Sequence, residues 1–289
     1  MEIPGLSAGR KEQFYTFLVA GVSGGNTDTM LLAAYDVPNQ KLSVMSLPRD
    51  TYVIYNGRTV MINSVYSRGG GEEGGVEALK KAVGSLTGVT PDFYVLVEWE
   101  AVGELVDAIG GVYFDVPRRM YYNDLSQHFK IDLQPGYQLL DGNGAMGVLR
   151  WRHNSDDSGH ILNSGYAMGD LGRIKTQQAF LTAMVEQLLK IENIAKINEF
   201  AEVFRENVET DLTLQNILWF AKAAFTGGLK PENVEFVTMP NTPAYAYSST
   251  TSRLNGRYSE QSYVTPNTSQ LLELCLLYTS PSPRDISGS

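Results

Sequence analysis

The sequence predicts an α/β fold, a three-layer α-β-α sandwich with a central mixed sheet in a single domain. Short apolar runs of strand length alternate with longer segments of helical spacing, which is the pattern of layered α/β proteins. The 289 residues are 43% hydrophobic and 19% charged, so the chain can bury a sizeable core. The first 240 residues contain no Pro/Ser-rich or charged linker, which favours one domain over two.

The first predicted elements are strands, because apolar residues cluster in short runs between turn signals. The turn signals are Gly24-Gly25-Asn26 and the segment 37–40, which contains Pro38 and Asn39. The predicted strands cover residues 14–20, 30–35 and 41–46.

Helices and strands alternate in the middle of the chain. Val76, Leu79 and Val83 recur at helical spacing, and Gly88 follows as a stop signal. We therefore predict helices over residues 75–86 and 99–109 and strands over residues 93–97 and 112–116.

The second half is mainly helical. Asp141-Gly142 is a plausible helix start, and Ile174, Gln177, Leu181, Met184 and Leu188 mark a long helix. Further helices are predicted over 193–207 and 214–225, a last strand over 234–238, surface loops or a short hairpin over 241–265, and a helix from Thr268.

The domain boundaries that we expect are a lead-in over residues 1–12, a catalytic domain over 13–240 and a C-terminal extension over 241–274. Residues 275–289 form a non-native tail on this interpretation, because Cys275 to Asp285 reverse-translate into a transposase adapter used in sequencing libraries. The alternative is a natural disordered tail, since Ser, Pro and Gly dominate its end. The only cysteine would be spurious if the tail is an adapter.

Charge and hydropathy exclude some classes of protein. The formal net charge of −9 argues against a nucleic-acid surface, although a local basic pocket can exist within an acidic chain. No stretch approaches the roughly 20 apolar residues that span a bilayer, and the first residues lack a signal-peptide pattern, so the chain as given is expected to be soluble.

Arginine-bearing segments are the most distinctive motifs of this acidic chain. Arginine binds two phosphate oxygens at once and stays charged at any working pH, so four such residues in Gly, Pro and Asp contexts indicate a pyrophosphate clamp. The segments are Ser46-Leu47-Pro48-Arg49-Asp50, Arg150-Trp151-Arg152-His153, and Gly169-Asp170-Leu171-Gly172-Arg173 followed by Gln177.

The ordered set of motifs resembles the LytR-CpsA-Psr family of bacterial cell-wall enzymes. Besides the arginine segments, the resemblance depends on Thr27-Asp28-Thr29-Met30, Ile62-Asn63-Ser64-Val65-Tyr66 and Asp107-Ala108-Ile109-Gly110-Gly111-Val112, and it runs from about residue 15 to 240. It implies a phosphotransferase that moves a phosphoglycan, of teichoic acid or capsular polysaccharide type, from an undecaprenyl-pyrophosphate carrier to a peptidoglycan hydroxyl. Undecaprenyl phosphate would be released.

The resemblance also implies partners and a location. The partners would be the lipid-linked glycan, the peptidoglycan acceptor and the lipid tail in the membrane, with no nucleic acid. The family usually has a transmembrane helix ahead of this domain, so the full-length protein is expected at the extracellular face of the cytoplasmic membrane and this chain lacks that anchor.

The resemblance assigns the pyrophosphate to Arg49, Arg150, Arg152, Arg173 and Gln177, with Arg49 and Arg173 also in the catalytic set. Each assignment has a structural alternative. Arg49 could pair with its neighbour on a solvated turn, the two later arginines could offset a helix dipole, and Gln177 could be a polar residue beside an apolar stripe.

The carboxylates are assigned by the same resemblance. Asp170 is either an N-cap or a catalytic group that contacts metal or takes the acceptor proton. Asp28 would help hold Mg²⁺, a hard ion that prefers oxygen ligands. The family commonly has a second aspartate where this chain has Ser23, so either Mg²⁺ binds more weakly, Asp50 serves instead, or the chemistry is altered.

Two other functional classes compete with the transferase. A non-catalytic polyprenyl-(pyro)phosphate binding protein is the alternative that the missing aspartate at Ser23 motivates. A DNA-binding regulator is disfavoured by the acidic charge and the lack of a recognition-helix motif. The three histidines are left out of the catalytic set. His128 and His160 lie in polar loops and lack a partner pattern of metal-ligand spacing, and a histidine placed like His153 is more often a hydrogen-bonding support than the catalyst.

Overall fold

The computed structural model describes residues 13–23, 25–125, 129–167, 170–190, 195–247 and 260–279. The expected lead-in over residues 1–12 and the end of the expected tail, residues 280–289, lie outside these ranges. Fourteen strands occur in the described residues: β1 Phe14–Ser23, β2 Asn26–Asp36, β3 Lys41–Ser46, β4 Tyr52–Tyr55, β5 Arg58–Met61, β6 Phe93–Val97, β7 Val112–Val116, β8 Met120–Asp124, β9 Phe129–Leu133, β10 Gly136–Leu140, β11 Val208–Thr210, β12 Val234–Thr238, β13 Asn241–Tyr247 and β14 Glu260–Pro266.

Eight α-helices lie in the same part of the chain. They are α1 Val65–Arg68, α2 Gly75–Thr87, α3 Trp99–Ala108, α4 Gly142–Arg150, α5 Asp170–Leu188, α6 Ile197–Asn207, α7 Leu214–Gly227 and α8 Thr268–Thr279. None of the described helices is long and apolar enough to cross a membrane.

A six-stranded mixed sheet is central to the fold, with strand order β11-β6-β1-β2-β3-β12. Its middle is an antiparallel meander in which Leu18 faces Leu32 and Leu31 faces Ser46. Sheet and helices together confirm the predicted α/β class with a central mixed sheet. The meander matters for function because it fixes which residues meet near the start of β2 and just after the end of β3.

The chain groups into two compact units. Unit 1 comprises residues 1–96, 210–212 and 237–289, and unit 2 comprises residues 97–209 and 213–236. Each unit has its own apolar core within the described residues. The division at residues 13, 240 and 274 that the sequence predicts is a separate matter and stays a prediction.

The core of unit 1 packs α2 onto the meander. Leu79 and Val83 are fully buried among Leu18, Met30 and Met45, which accounts for the helical spacing seen in the sequence. The helix ends at Gly88, whose φ of 73° is left-handed and suits glycine.

The core of unit 2 forms around α3, α4, α5 and the β7–β10 hairpin. Phe114 of β7 packs edge-on against Phe180 of α5 at a ring separation of 5.4 Å. Asp107 Oδ1 accepts a hydrogen bond of 2.8 Å from the backbone N–H of Gly142, which fixes the start of α4 against α3. A Cβ at residue 142 would lie 2.5 Å from the carbonyl oxygen of Gly103, so this close approach requires glycine.

Several short strands were not predicted. The β4–β5 hairpin turns at Asn56 and Gly57, with φ of 49° and 72°, a two-residue turn of the kind that Asn-Gly favours. The β8–β9 hairpin and β10 also escaped notice, because their polar and half-buried residues interrupt the apolar runs. The described parts of residues 241–265 pair as the β13–β14 hairpin, and α8 begins at Thr268 as predicted.

Candidate functional site

Unit 1 brings Asp28, Arg49 and Asp50 into one charged group. Arg49 Nη1 donates to Asp28 Oδ1 at 3.0 Å, and Arg49 Nε lies 3.4 Å from Asp50 Oδ1. The side chains of Asp28, Arg49 and Asp50 are 24%, 31% and 40% exposed, so an incoming ligand can reach them. Arg49 does pair with its neighbour on a turn, as the structural alternative required, but it pairs with Asp28 as well.

The meander explains why Asp28 and Arg49 meet. β2 and β3 are antiparallel, and Leu31 lies opposite Ser46. Continuing this register by three residues on each strand puts Asp28 opposite Arg49. The segment after β3 is held there by backbone hydrogen bonds, from Leu47 N–H to the Met30 carbonyl at 2.9 Å and from Asn63 N–H to the Arg49 carbonyl at 3.2 Å.

Buried threonines hold the two chain segments of this group. Thr27, which precedes Asp28 in the sequence, is fully buried, and its hydroxyl donates to the Asn63 carbonyl at 3.3 Å. Thr51 is also fully buried and donates to the Pro48 carbonyl at 2.6 Å, closing the turn that carries Arg49. Satisfied buried hydroxyls of this kind keep a site rigid.

The charge of this group favours a cation over a bare anion. One guanidinium faces two carboxylates, so the trio carries a net charge of −1 at neutral pH. The carboxylates of Asp28 and Asp50 lie at the same guanidinium and suit Mg²⁺, which proteins bind through one or two carboxylates together with substrate phosphates. Among the described residues no cluster of three or more His, Cys, Asp or Glu side chains could hold a metal alone. Substrate oxygens would therefore have to complete the coordination.

Ser23, which stands where the family commonly has an aspartate, is the last residue of β1. Its side chain is not among those that the structure describes.

Unit 2 carries Arg150 and Arg152 on either side of a buried tryptophan. Arg150 is the last residue of α4, and its guanidinium carbon lies 4.1 Å from the centre of the Phe129 ring. Trp151 is extended, with φ of −62° and ψ of 132°, and is buried in the core. Arg152 is exposed. Trp151 thus lies in the core between the two arginines, and their assigned contact with pyrophosphate stays a prediction.

Gln177 supports the end of α4. It is almost fully buried, and its Nε2 donates to the Leu149 carbonyl at 2.9 Å. Since Leu149 precedes Arg150, this bond ties one of the last free carbonyls of α4 to α5. In the structure Gln177 supports the end of the helix that carries Arg150. The assigned contact of Gln177 with pyrophosphate stays a prediction.

Arg173 lies in the first turn of α5, as predicted, and is buried. Burial raises the pKa of the Tyr166 phenol; the neighbouring Thr176 hydroxyl and then the positive charges of Arg118 and Arg173 partly oppose that rise. Both guanidinium groups therefore act on one phenol, which stays protonated at neutral pH. Asp170 opens α5, but its side chain lies outside the described residues, so both roles weighed for it stay predictions.

Arg118 is the residue that sequence reasoning missed. Its guanidinium carbon lies 5.2 Å from the centre of the Trp151 ring, and its Nη1 donates to the Gly165 carbonyl at 2.8 Å. Its Nε is buried and has no hydrogen-bond partner within the described residues. We take Arg118 as a further candidate for anion binding, because a guanidinium can hold two phosphate oxygens at once. The available signal was Pro117-Arg118 directly after a strand, the context of Pro48-Arg49.

The loop between α4 and α5 is held by Asp156. Its carboxylate accepts from the backbone N–H groups of His160 and Ser158, each at 2.9 Å. These hydrogen bonds hold the pKa of Asp156 below its usual range, and the bond from the His160 backbone has the largest effect. Burial acts in the opposite direction. His160 pairs with Asp156 at 3.1 Å, His153 stacks edge-on with Tyr122, and His128 lies outside the described residues.

An apolar cavity of about 80 Å³ opens in unit 2 among α3, α5, α6 and α7. It is lined by alanine, leucine, isoleucine and phenylalanine side chains, with Lys196 as the one charged residue of the lining. Such a surface accepts hydrocarbon. The sequence could not separate this lining from core packing, because both need apolar residues at one period.

Residues 8–273 match the LytR_cpsA_psr family, so the chain belongs to the LytR-CpsA-Psr family. The family resemblance of the arginine, aspartate and glycine motifs is thereby confirmed.

Curated relatives narrow the comparison. The chain is 29% identical over 195 residues to the polyisoprenyl-teichoic acid–peptidoglycan teichoic acid transferase TagV of Bacillus subtilis, a match of 66% of this chain and 46% of TagV. It is 26% identical over 223 residues to the regulatory protein MsrR of Staphylococcus aureus, covering 76% of this chain and 61% of MsrR. The chain thus spans about half to three fifths of the length of these relatives.

Solved structures agree in fold. The crystal structure of B. subtilis TagV aligns with a TM-score of 0.70 at 21% identity, over 94% of this chain and 100% of that one. A LytR-Csp2A-Psr enzyme from Actinomyces oris aligns with a TM-score of 0.69 at 18% identity, over 96% and 94%. At these identities the likeness establishes the shared fold.

Proposed function

We propose that this chain transfers a phosphoglycan, of teichoic acid or capsular type, from an undecaprenyl-pyrophosphate carrier to a peptidoglycan hydroxyl. Family membership and the named activity of TagV support the reaction class. The observation that carries the proposal is the Arg49 guanidinium held between Asp28 and Asp50, since this group offers a fixed cation to a pyrophosphate and carboxylate oxygens to a metal ion that would bind with it. In the full-length protein the reaction would occur at the extracellular face of the cytoplasmic membrane.

The reaction balances as a substitution at phosphorus. The acceptor hydroxyl oxygen forms a bond to the phosphorus that carries the glycan, and the bond from that phosphorus to the bridging oxygen breaks. The hydroxyl proton passes to a carboxylate, Asp170 or Asp28, and undecaprenyl phosphate leaves. The phosphoglycan is then joined to peptidoglycan through a phosphodiester.

Arginines supply the electrostatic part of this chemistry. Charge grows on the leaving phosphate as the bridging bond breaks, and positioned cations lower the barrier more than flexible ones. Arg49 is positioned by two carboxylates, Arg150 by Phe129 and the end of α4, and Arg173 by burial in the first turn of α5. A helix N-terminus adds a further preference for anions at Arg173.

Mg²⁺ is proposed as the cofactor, with Asp28 and Asp50 as its protein ligands. When bound, Mg²⁺ would neutralise negative charge on the pyrophosphate. The net charge of −1 at these residues supports the proposal, because without a further cation the trio repels a phosphate.

The lipid tail needs an apolar surface. The cavity among α3, α5, α6 and α7 is apolar throughout most of its lining, and Lys196 at its edge could meet a lipid phosphate. At about 80 Å³ it would take only a short stretch of a polyprenyl chain. We propose it as one subsite for that chain.

The test is release of undecaprenyl phosphate from a radiolabelled undecaprenyl-pyrophosphate saccharide, with a peptidoglycan oligomer as acceptor, with and without Mg²⁺. Both undecaprenyl phosphate and glycan-linked peptidoglycan should form and depend on the acceptor. A protein that binds the lipid but yields neither product would be the non-catalytic carrier-binding protein, and Ser23→Asp would then be the first variant to examine.

A further inference from the structure

A second site lies in a groove of unit 2 that the transfer chemistry leaves unused. The groove has a volume of about 390 Å³ and runs between β7 and the length of α5. This lies within the roughly 300–1,000 Å³ of small-molecule sites. The residues of its lining that matter here are Tyr113, Asp115, Tyr137, Lys175, Thr176 and Glu186.

Two tyrosines give the groove an exposed aromatic wall. The rings of Tyr113 and Tyr137 are stacked 5.7 Å apart at an angle of 14°, and the residues are 46% and 73% exposed. Both project from the outer face of the β7–β10 hairpin, where Leu139 pairs with Tyr113 and is also exposed. A ring face carries negative potential, which attracts the weakly positive C–H groups of a flat apolar ligand face.

Charged side chains of both signs surround the aromatic wall. Asp115 lies directly opposite Tyr137 in the hairpin register, and Lys175 and Glu186 face the groove from α5. Lys190 Nζ lies 5.7 Å from the centre of the Tyr113 ring. Mixed donors and acceptors beside an aromatic face suit a neutral polyol better than an anion or a hydrocarbon.

We infer that this groove binds a chain of pyranose sugars, with one sugar ring stacked on the Tyr113–Tyr137 pair and its hydroxyls bonded to Asp115, Lys175 or Glu186. Thr176 lines the groove and follows Arg173 by three residues, one helical turn, so a glycan in the groove would reach the phosphate-binding end of α5. The inference rests on the proposed function, since it assigns the glycan of that reaction to this groove.

A peptide is the competing occupant. Within the described residues β7 has β10 as its one strand partner, so its other edge could pair with an extended peptide. Edge pairing would use backbone groups and would not need stacked, exposed rings. The aromatic pair therefore favours the sugar.

The experiment is a calorimetric titration without any lipid donor. The probes are a β-1,4-linked N-acetylglucosamine tetrasaccharide for the acceptor backbone, a lipid-free capsular-type tetrasaccharide for the donor glycan, and a sugar-free peptidoglycan stem peptide. One of the sugars should bind, Tyr137→Phe should retain it, and Tyr137→Ala should weaken it about tenfold. The sugar that binds identifies acceptor or donor as the source.

Controls separate binding from folding and from catalysis. Tyr245→Ala removes another exposed tyrosine, in unit 1, and should leave the affinity unchanged. Thermal unfolding of Tyr137→Ala should match that of the wild type. Arg49→Ala should bind the sugar normally even where transfer is lost. The inference is wrong if neither sugar binds, if Tyr137→Ala binds as well as wild type, or if only the stem peptide binds.

Discussion

Arg49 in unit 1 and Arg118 in unit 2 stand in the same local sequence, a Pro-Arg pair just after a strand, yet their surroundings differ. Arg49 contacts two carboxylates, at 3.0 and 3.4 Å. Arg118 lies over the Trp151 ring and donates to the Gly165 carbonyl, with its Nε buried and without a hydrogen-bond partner in the described residues. The same dipeptide context thus places one arginine between two carboxylates and the other against an aromatic ring and a backbone carbonyl.

The difference teaches which ligand each region favours. The Arg49 group carries a net charge of −1, so the proposed Mg²⁺ would offset its repulsion of a phosphate. Among the described residues Arg118 contacts an aromatic ring and a backbone carbonyl, so we expect an anion to bind there without a metal. Each of these two expectations can be tested separately.

Arg49→Ala should give the largest effect. Removing one preorganised donor typically lowers turnover about 100- to 1,000-fold, and Arg49 is positioned at two atoms. Because Arg49 is partly exposed, the melting temperature should change little. The measurement is release of undecaprenyl phosphate alongside thermal unfolding. Arg58→Ala, at an exposed position of β5, is the matched control and should retain activity; an active Arg49→Ala enzyme would remove Arg49 from the catalytic set.

Asp28→Asn should act next, through the metal. Losing one carboxylate should raise the Mg²⁺ concentration for half-maximal activity about tenfold, since a hard cation loses a charged ligand. Activity would be measured across a Mg²⁺ titration, with Asp36→Asn, at the other end of β2, as the control. If Asp28 only restrains Arg49, the Mg²⁺ dependence would not shift and activity would fall equally at every concentration.

Arg118→Ala should weaken donor binding by about tenfold. A hydrogen bond between a charged side chain and a phosphate contributes about 1.5–3 kcal/mol, and the low end of this range corresponds to about tenfold. The substitution also removes the packing of Arg118 on Trp151. Arg119→Ala is a matched neighbour, since Arg119 pairs with Asp132 at 2.6 Å and supports the β8–β9 hairpin. The readout is KM for the lipid-linked donor. Equal effects of the two substitutions would mean that Arg118 is structural.

Sequence reasoning recovered the long, strongly periodic elements, such as α2 and the strands of the meander. It missed β4 and β5 even though Asn56-Gly57 is a strong hairpin signal, because strands of four residues carry little periodicity. Tertiary pairing stabilises such strands more than their own sequence does.

The candidate site was predictable to different degrees in the two units. Asp28 and Arg49 are 21 residues apart, and the β2–β3 register would have paired them once the turn between the strands was located. Arg118, Trp151 and Gly165 are brought together by a hairpin, a helix end and an irregular loop. No sequence periodicity encodes that arrangement, so this part of the site could not be predicted from the sequence.

The smallest expected effect concerns the loop that supplies the Gly165 carbonyl to Arg118. The pKa of Asp156 in the folded protein lies below its unfolded value of about 3.9. Its contribution to loop stability is therefore fully present above about pH 4 and is lost as the pH falls through the lower folded pKa. Amide hydrogen exchange of residues 154–166 should accelerate in that pH window in the wild type.

The variants test this assignment. Asp156→Ala should exchange faster at every pH and lose the acid transition. Asp157→Ala, which removes an acceptor of the Tyr121 hydroxyl, should keep the transition. If the acid transition persists in Asp156→Ala, another group holds the loop, and the Gly165 contact of Arg118 does not depend on Asp156.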